Sequence, residues 1–461
     1  MNLFRQIPKV DKIEKILSHI PKKVLIPIIQ QTLENIRNGI KNGKITEINE
    51  KSIIKEIEKK ANDILSPSIV NVINATGITV HTNLGRSLID PEIFDYAKER
   101  STHYCNLEYD LEKGKRGDRY HHSAKILSHL FGSESALIVN NNAAAVFLIL
   151  NTFAKDKEAI VSRGELVEIG GSFRVPEVMK ASGAKLVEVG TTNKTKIKDY
   201  EEAITENTSM LMKVHKSNYS IEGFSAEATL EEIISLSKEK GVLDYYDLGS
   251  AYVPKLPYGL TNYEPPISDI MKLNPSLVSF SGDKLFGSVQ AGIILGKKEL
   301  IDRLKKNQIL RMFRVDKITL SLIEATALAY IKEEYDKIPT LKSIFQTTDE
   351  LKEKAQKLLN LCPGLKAEIK ESHTYVGGGT MPNRKIPTIV VEIKGNAKKW
   401  EENMRKNLVI GRIENEHFVL DMRSVQEDEI EKLSEIINNI ISCEIPSQNN
   451  NIATSQLKGQ K

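Results

Sequence analysis

Between residues 136 and 295, short apolar runs alternate with amphipathic segments. The runs have the length of buried strands, and they lie at residues 136–139, 158–162, 185–190, 209–215, 242–248, 276–280 and 291–295. Most of the intervening segments, such as "TLEEIISLSKEKG", repeat apolar residues at three- and four-residue spacing. This alternation predicts an α/β fold with a mainly parallel, seven-stranded sheet between two layers of helices. Ligands of such folds bind beyond the carboxyl ends of the strands.

The segments on either side of this region have different patterns. Residues 1–66 contain three amphipathic segments, which predict a small N-terminal helical domain. We expect a core domain over residues 67–325 and a smaller C-terminal α+β domain over residues 326–445, with strands in "IPTIVVEI" and "HFVLDM" and a closing helix. Residues 446–461 are polar and predict a disordered tail.

The net charge of +4 is concentrated at the N-terminus. Residues 1–66 hold 13 Lys and Arg against 8 Asp and Glu, whereas the remainder holds 52 against 53. A basic segment on a near-neutral body favours a polyanionic partner, although a solvated lysine-rich helix face explains the excess equally well.

Two further properties narrow the class of protein. No stretch approaches the roughly 20 apolar residues of a membrane span, and the N-terminus lacks the apolar core of a signal peptide. We therefore expect a cytoplasmic protein without a membrane partner. Cys105, Cys362 and Cys443 are far apart and have no metal-ligand spacing, so we expect reduced thiols and no metal site.

A single lysine, Lys284, stands between two apolar runs in "SFSGDKLFGSVQAGIILG". A charged amine is costly to bury, so this side chain either reaches solvent or has its pKa lowered and becomes a nucleophile. Taken alone, exposure to solvent is the more common outcome. The rest of the chain changes that balance.

The segment "IVNNNAAAVFLIL" runs from a strand into an apolar helix. It places Asn141, Asn142 and Ala143 at the helix N-terminus, where free backbone N–H groups and the helix dipole favour a phosphate. Helix capping by asparagine is the alternative explanation, and it would be preferred if this feature stood alone.

Two polar residues follow later strands. His215 ends the strand in "LMKVH", and Asp247 follows the apolar part of "YYDLGSA"; a structural histidine and a turn aspartate are the alternatives. Pyridoxal phosphate needs a helix N-terminus for its phosphate, a carboxylate at its pyridine nitrogen, a planar group on its ring and a Schiff-base lysine. The ordered set that ends at Lys284 therefore predicts a pyridoxal phosphate site.

Arginines recur in three loop-like or element-end segments: "INATGITVHTNLGRSLI", "EKGKRGDRYHH" and "QILRMFRVDKIT". A guanidinium fork is suited to a tetrahedral oxyanion. Solvent exposure is the alternative, and we prefer it for Arg116. The candidates for an anion pocket are Arg86, Arg119, Arg311 and Arg314.

Six ordered blocks resemble one enzyme family: "INATGITVHTNLGRSLI", "GTTNKTKIKDYEEAI", "KVHKSNYSIEGF", "DLGSA", "SFSGDKLFGSVQAGIILGKKELI" and "GGGTMP". The chain is similar, nearly end to end, to the bacterial selenocysteine synthases, the L-seryl-tRNA(Sec) selenium transferases. The resemblance implies a fold type I pyridoxal phosphate enzyme that forms a ring of dimers, a homodecamer, with active sites at dimer interfaces. It also implies conversion of L-seryl-tRNA(Sec) to L-selenocysteyl-tRNA(Sec) with selenophosphate. The turn "LFGSVQAG" departs from the Gly-Pro-Gln pattern expected after the lysine.

The resemblance also implies a role for each candidate residue. Lys284 would form the Schiff base and remove the serine α-proton, Asp247 would hold the pyridine nitrogen, and His215 would contact the ring. The cofactor phosphate would be bound by Asn141, Asn142 and Ala143, and the selenium donor would be bound by the four candidate arginines. Binding of an aminoacylated tRNA requires basic side chains that contact its phosphates. The N-terminal candidates for these phosphate contacts are Lys22, Lys23, Lys41, Lys44, Lys59 and Lys60.

Three other interpretations remain open. The same core could serve a pyridoxal phosphate lyase that eliminates water or ammonia from a small phosphorylated amino acid or sugar acid, although such an enzyme would not need the basic N-terminal domain. A non-catalytic RNA-binding or scaffold protein is disfavoured by the presence of Lys284, Asp247 and the arginines. The N-terminal helices could also serve oligomerisation alone.

Overall fold

The computed structural model describes residues 3–166, 168–169, 173–216, 219–221, 223–262 and 264–444. The chain forms two compact units, Met1–Asn71 and Val72–Lys461. The predicted disordered tail at residues 446–461 lies outside the described residues.

The first unit is helical. After a short 3₁₀ turn at Leu3–Gln6, its helices are α1 (Val10–Ile16), α2 (Lys22–Lys41) and α3 (Glu50–Leu65). The apolar residues at three- and four-residue spacing form one buried core, which includes Ile13, Leu25, Ile29, Leu33 and Ile57. The Asn49 side chain caps α3 by accepting a hydrogen bond from the Ser52 N–H at 3.2 Å. Charged residues are thereby left on the outer faces of the helices.

A seven-stranded sheet forms the centre of the second unit. Its strands are β1 (Ser135–Val139), β2 (Glu158–Ser162), β3 (Lys185–Val189), β4 (Thr208–Val214), β5 (Leu243–Gly249), β6 (Leu277–Ser281) and β7 (Gly292–Gly296). They lie in the order β1-β7-β6-β5-β4-β2-β3. All neighbours pair in parallel except β7, which is antiparallel to both β6 and β1. The predicted mainly parallel sheet of seven strands is confirmed.

Helices cover both faces of the sheet, so successive residues of one strand pack into different cores. In β6, Val278 and Phe280 pack in a core with helices at residues 91–102, 121–131 and 317–331. Leu277 packs in a second core with helices at residues 142–153, 175–182 and 298–306. This double burial explains why the central strands are continuous apolar runs. Gly292 allows β7 to pass Asn141, because a Cβ at this position would overlap the Asn141 carbonyl oxygen.

In the second unit, helices precede, alternate with and follow the strands of the seven-stranded sheet along the chain. Their bounds are α4 (Pro91–Thr102), α5 (His121–Phe131), α6 (Asn142–Phe153), α7 (Val175–Ser182), α8 (Ile197–Ala203), α9 (Leu230–Lys240), α10 (Ile267–Lys272), α11 (Lys298–Lys306), α12 (Lys317–Ile331), α13 (Pro339–Phe345) and α14 (Thr348–Leu361). Among the described residues, no helix combines the length and the apolar character that a bilayer crossing requires.

A four-stranded antiparallel sheet follows. Its strands are β8 (Ala367–Gly377), β9 (Thr380–Ile393), β10 (Arg412–Glu414) and β11 (His417–Asp421), in the order β8-β9-β11-β10. Helices α14, α15 (Ala397–Lys406) and α16 (Ile430–Glu444) accompany it, which confirms the predicted C-terminal α+β region. A parallel pair of two-residue strands, Ile73–Asn74 and Val409–Ile410, ties the start of the second unit to this region.

The "GGGTMP" block forms the tight turn between β8 and β9, where Gly377 pairs with Thr380. All three glycines have positive φ, which glycine adopts without strain. A Cβ at Gly377 or Gly378 would overlap Ile78 or Val80, so the turn lies directly against the segment that leads to Arg86.

Candidate active site

Lys284 lies in the turn that follows β6. Only 5% of the residue is exposed, so the solvent-facing alternative does not apply. Burial lowers the pKa of its amine, and the nearby Arg86 charge lowers it further, while Asp247, Asp283 and Glu264 act in the opposite direction. The Ser87 hydroxyl donates to the Lys284 carbonyl oxygen at 2.6 Å and so holds the backbone of this turn. The structure therefore presents a buried amine at a strand end.

Asp247 lies at the end of β5, the neighbour of β6, and is also 5% exposed. Asn142 Nδ2 donates to Asp247 Oδ1 at 2.8 Å. Burial raises the pKa of Asp247, whereas the Asn142 hydrogen bond, the Lys284 charge and the Gly249 N–H lower it. A carboxylate held in this way can bind a protonated ring nitrogen.

The helix start that follows β1 has two different uses. The Asn141 side chain caps α6 by accepting from the Ala144 N–H at 2.8 Å, which matches the capping alternative. The Asn142 side chain donates from its amide nitrogen to Asp247, while its place at the phosphate was predicted for its backbone N–H. The first-turn N–H groups at Asn142 and Ala143 have no intrahelical acceptors and are the ones suited to a phosphate.

His215 follows β4 and is linked to β5 by a hydrogen bond from its N–H to the Asp247 carbonyl oxygen at 2.9 Å. Its side chain is 21% exposed. Burial, followed by the Lys213 charge, lowers the pKa of His215 to about 4, so the imidazole is neutral at pH 7. Nδ1 is buried without a hydrogen-bond partner in the described part of the chain, and Nε2 lies 3.4 Å from Glu264 Oε1.

Glu264 is a site residue that the sequence analysis missed. Its side chain is 8% exposed, and burial raises its pKa to about 7, although the Met381 N–H and the Lys284 charge lower it. The only local signal is a carboxylate in the loop "NYEPPIS", outside any strand-end pattern.

A buried ion pair, also missed, stabilises the end of β4. Lys213 Nζ lies 3.1 Å from Glu165 Oε1, and Glu165 Oε2 accepts from the Val214 N–H at 2.9 Å. Glu227 lies 3.5 Å from Lys213 and 3.2 Å from Lys216. These contacts fix the backbone on both sides of His215.

The candidate arginines lie in two places. Arg119, Arg311 and Arg314 line one pocket of about 260 Å³, together with Arg116 and Glu108. Glu108 Oε1 is 2.9 Å from Arg119 Nε and 3.8 Å from Arg314 Nη1. The Arg116 side chain is 81% exposed, in agreement with the solvated alternative.

Arg86 is separate from this group. Its Nη1 lies 2.7 Å from Asp283 Oδ2, next to Lys284 in the chain. The structure thus brings three of the four candidate arginines into one pocket and places the fourth beside the buried lysine.

The candidate lysines of the first unit lie on its surface, and two of them have acidic partners. Lys22 Nζ is 2.5 Å from Glu14, and Lys60 Nζ is 2.6 Å from Glu56. Lys23, Lys41, Lys44 and Lys59 are exposed.

The residues present fit pyridoxal phosphate. A buried amine, a buried carboxylate and a helix N-terminus come together at the carboxyl ends of β1, β5 and β6. Asn142 Oδ1 and His215 Nδ1 are buried there without partners among the described residues, as expected for atoms that face a bound group. No set of three or more His, Cys, Asp or Glu side chains in the described ranges is arranged to hold a metal ion.

Comparison with known proteins agrees with this chemistry. The family model described as "SelA: L-seryl-tRNA selenium transferase" matches residues 72–426. A Nautilia profundicola protein named L-seryl-tRNA(Sec) selenium transferase is 90% identical over 445 residues, or 96% of this chain and 99% of that protein. An Aliarcobacter butzleri protein of the same name is 55% identical, over 95% of this chain and 99% of its own length.

Among solved structures, D-glucosaminate-6-phosphate ammonia-lyase is similar with a TM-score of 0.58 and 21% identity, over 83% of this chain and 98% of that one. This likeness shows a shared fold. Because the family model spans most of the chain and the two named relatives match almost its full length, the chain belongs to the L-seryl-tRNA selenium transferase family.

Proposed function

We propose that this chain converts L-seryl-tRNA(Sec) to L-selenocysteyl-tRNA(Sec), with pyridoxal phosphate as its cofactor and selenophosphate as the selenium donor. The observation that carries the proposal is 90% identity, over 96% of this chain, to a relative of that name. The buried Lys284 and Asp247 supply the chemistry that the proposed reaction requires.

Pyridoxal phosphate, when bound, supplies an electron sink for negative charge at the α-carbon of the amino acid. Lys284 would hold the cofactor covalently through its ε-amine, and Asp247 would hold the pyridine nitrogen. Asn142 keeps the Asp247 carboxylate in place, and the first-turn N–H groups of α6 would bind the phosphate. His215 would contact the ring.

The lowered pKa of Lys284 favours a neutral amine, which can accept the serine α-proton. The bond between the serine β-carbon and its oxygen then breaks, and the hydroxyl leaves as water. Selenium from selenophosphate forms the new bond at the β-carbon, and a proton returns to the α-carbon. Water breaks the selenium–phosphorus bond, so that phosphate is released. The net change on the amino acid is the replacement of one oxygen by selenium.

The donor phosphate would bind to the pocket of Arg119, Arg311 and Arg314, whose guanidinium groups can form paired hydrogen bonds with phosphate oxygens. Arg86, beside Lys284, would contact the donor from the reacting side. A homodecameric ring of dimers, with active sites at dimer interfaces, completes the proposal. Mass photometry of the cofactor-loaded protein tests that assembly.

The exposed lysines of the first unit would bind tRNA phosphates through charge and shape. The domain limits proposed with this role are residues 1–66 for tRNA binding, 67–325 for the catalytic core and 326–445 for the small domain.

The test of the proposed function uses the full-length, cofactor-loaded chain with seryl-tRNA(Sec) and selenophosphate. The amino acid released by mild hydrolysis of the tRNA ester is identified by mass spectrometry. Selenocysteine formed on tRNA(Sec) and not on ordinary seryl-tRNA supports the proposal. Release of water or ammonia from small phosphorylated amino or sugar acids, with no product on tRNA, would instead establish the lyase alternative.

A further inference from the structure

The Glu264 carboxyl group is buried near Lys284 and beside the partly buried His215 imidazole, and the steps described above give Glu264 no role. Glu264 Oε1 is 3.4 Å from His215 Nε2, and the other ring nitrogen, Nδ1, is buried without a partner in the described ranges. The Met381 N–H donates to the Glu264 carboxyl group, and the Tyr252 hydroxyl donates to the Glu264 carbonyl oxygen. The carboxyl group is therefore held against one edge of the imidazole, while Nδ1 at the other edge lacks a hydrogen-bond partner among the described residues.

The proposed reaction needs a proton in this region. Hydroxide is a poor leaving group, so the serine hydroxyl must be protonated as its bond to the β-carbon breaks. Three carboxyl groups surround Lys284, and two of them already have partners. Asp283 is paired with Arg86 at 2.7 Å, and Asp247 accepts from Asn142 at 2.8 Å.

Glu264 differs from both in its neighbour, because its Oε1 lies 3.4 Å from Nε2 of the His215 imidazole. Burial beside a neutral imidazole favours the protonated carboxyl group, and burial raises the pKa of Glu264 to about 7. At neutral pH, Glu264 is therefore partly protonated while His215 is neutral.

We propose that Glu264 and His215 together supply the proton with which the serine hydroxyl leaves as water. Glu264 is the positioning residue that holds the proton, and His215 passes it to the substrate. This inference rests on the proposed function.

The Glu264 O–H gives its proton to Nε2 while the proton on Nδ1 moves to the leaving oxygen, so the imidazole stays neutral overall. The electron pair of the broken carbon–oxygen bond leaves with the oxygen, and the pair released with the α-proton becomes part of the new Cα–Cβ double bond. Lys284 holds the α-proton, and Glu264 is ionised until a proton from solvent or from Lys284 restores it.

Several charged or titratable groups set the electrostatic environment of the pair. They are Lys213, Lys216, Tyr219, Glu227, Tyr246, Tyr252, Lys284 and Arg384. The lysine charges oppose protonation of His215, and Glu227 favours it. Glu227 is half exposed and paired with Lys213 and Lys216, which makes Glu227→Gln a matched control for removal of a nearby carboxylate.

The first measurement needs no substrate. The cofactor-loaded chain is labelled with ¹⁵N-histidine, and His215 is assigned by its loss in His215→Gln. We expect the His215 nitrogen shifts to titrate near pH 7 in the wild type and in Glu227→Gln, and to stay constant through that range in Glu264→Gln. An unchanged titration in Glu264→Gln would overturn the proposed coupling.

The second measurement separates two bond cleavages. In D₂O, the rate of exchange of the seryl α-proton on tRNA(Sec) measures proton removal by Lys284. The rate of loss of the hydroxyl measures proton transfer from the proposed donor pair. Glu264→Gln should keep the exchange and reduce elimination by about 100-fold, within the usual range for general acid catalysis. Glu264→Asp, which retains an acid, should recover part of the loss.

A change of leaving group completes the test. Chloride leaves without a proton, so elimination from β-chloroalanyl-tRNA(Sec) should be the same in Glu264→Gln and in the wild type. An equal loss of exchange and elimination, or no rescue by chloride, would overturn the inference. A wild-type chain that neither exchanges nor eliminates would refute the proposed function itself, whereas the coupled titration of the two side chains would still be observed.

Discussion

Replacement of Asn142 should weaken cofactor binding more than its place at a helix start suggests. The Asn142 amide donates to the buried Asp247 carboxylate at 2.8 Å, and burial opposes ionisation of that carboxylate. A hydrogen bond to a charged group contributes about 1.5–3 kcal/mol. The hydrogen bond contributes this free energy when Asp247 is ionised beside the pyridine nitrogen of the bound cofactor. Asn142→Ala should therefore weaken pyridoxal phosphate binding by roughly 10- to 100-fold.

Asn142→Asp is the more severe variant. It keeps the shape of the side chain but places a second carboxylate next to Asp247, and two carboxylates at this distance do not both ionise readily. Its affinity for the cofactor should fall below that of Asn142→Ala. The assay is a fluorescence titration of the cofactor-free protein with pyridoxal phosphate.

Asn141→Ala is the matched control, because Asn141 caps α6 and has no hydrogen bond to Asp247. Loss of the cap should cost about 1 kcal/mol of stability and leave the spectrum of the bound cofactor unchanged. If Asn142→Ala and Asn142→Asp bind the cofactor as tightly as Asn141→Ala does, the Asn142–Asp247 contact has no role in binding.

Three more outcomes are expected. Lys284→Ala should abolish product formation and prevent borohydride from linking the cofactor to the protein; a borohydride-linked cofactor in this variant would show that another lysine holds it. Arg311→Ala should raise the KM for selenophosphate by roughly 10- to 100-fold with tRNA affinity unchanged, because a hydrogen bond to an anion contributes about 1.5–3 kcal/mol; the surface variant Arg405→Ala, ion-paired with Glu401, should leave that KM unchanged. Lys23→Glu should weaken binding of tRNA(Sec) and of ordinary tRNA alike, and the salt dependence of the binding constant should fall by about one phosphate contact. Lys398→Glu on α15 should change neither quantity. An unchanged salt dependence in Lys23→Glu would show that this lysine does not contact tRNA.

Six strands of the central sheet were predictable because they are largely buried and therefore form nearly continuous apolar runs. The edge strand β3 is partly exposed, and its alternation of apolar and charged residues marked it instead. β8 and the first half of β9 were missed because their residues are largely polar and many are exposed, so no apolar alternation marks them.

Lys284 and Asp247 were predictable because polar residues at the ends of apolar strands are conspicuous. The contact between Asn142 and Asp247 was not, since the two residues are 105 positions apart and Asn142 also fits a helix start. Glu264 and the Lys213–Glu165 pair have no local pattern either. Their carboxyl groups gain their properties only from neighbours that the folded chain brings to them.

The position of β7 has a consequence for the order of events during synthesis. β1 forms one edge of the described sheet, and its neighbour there is β7, which begins 153 residues after β1 ends. The nascent chain therefore exposes an apolar strand without its neighbour until the ribosome has passed Gly296. Such edges favour aggregation and slow folding, because a contact distant in sequence forms late. The helix start after β1 cannot be fixed before that point, so cofactor capture should follow translation of the whole sheet.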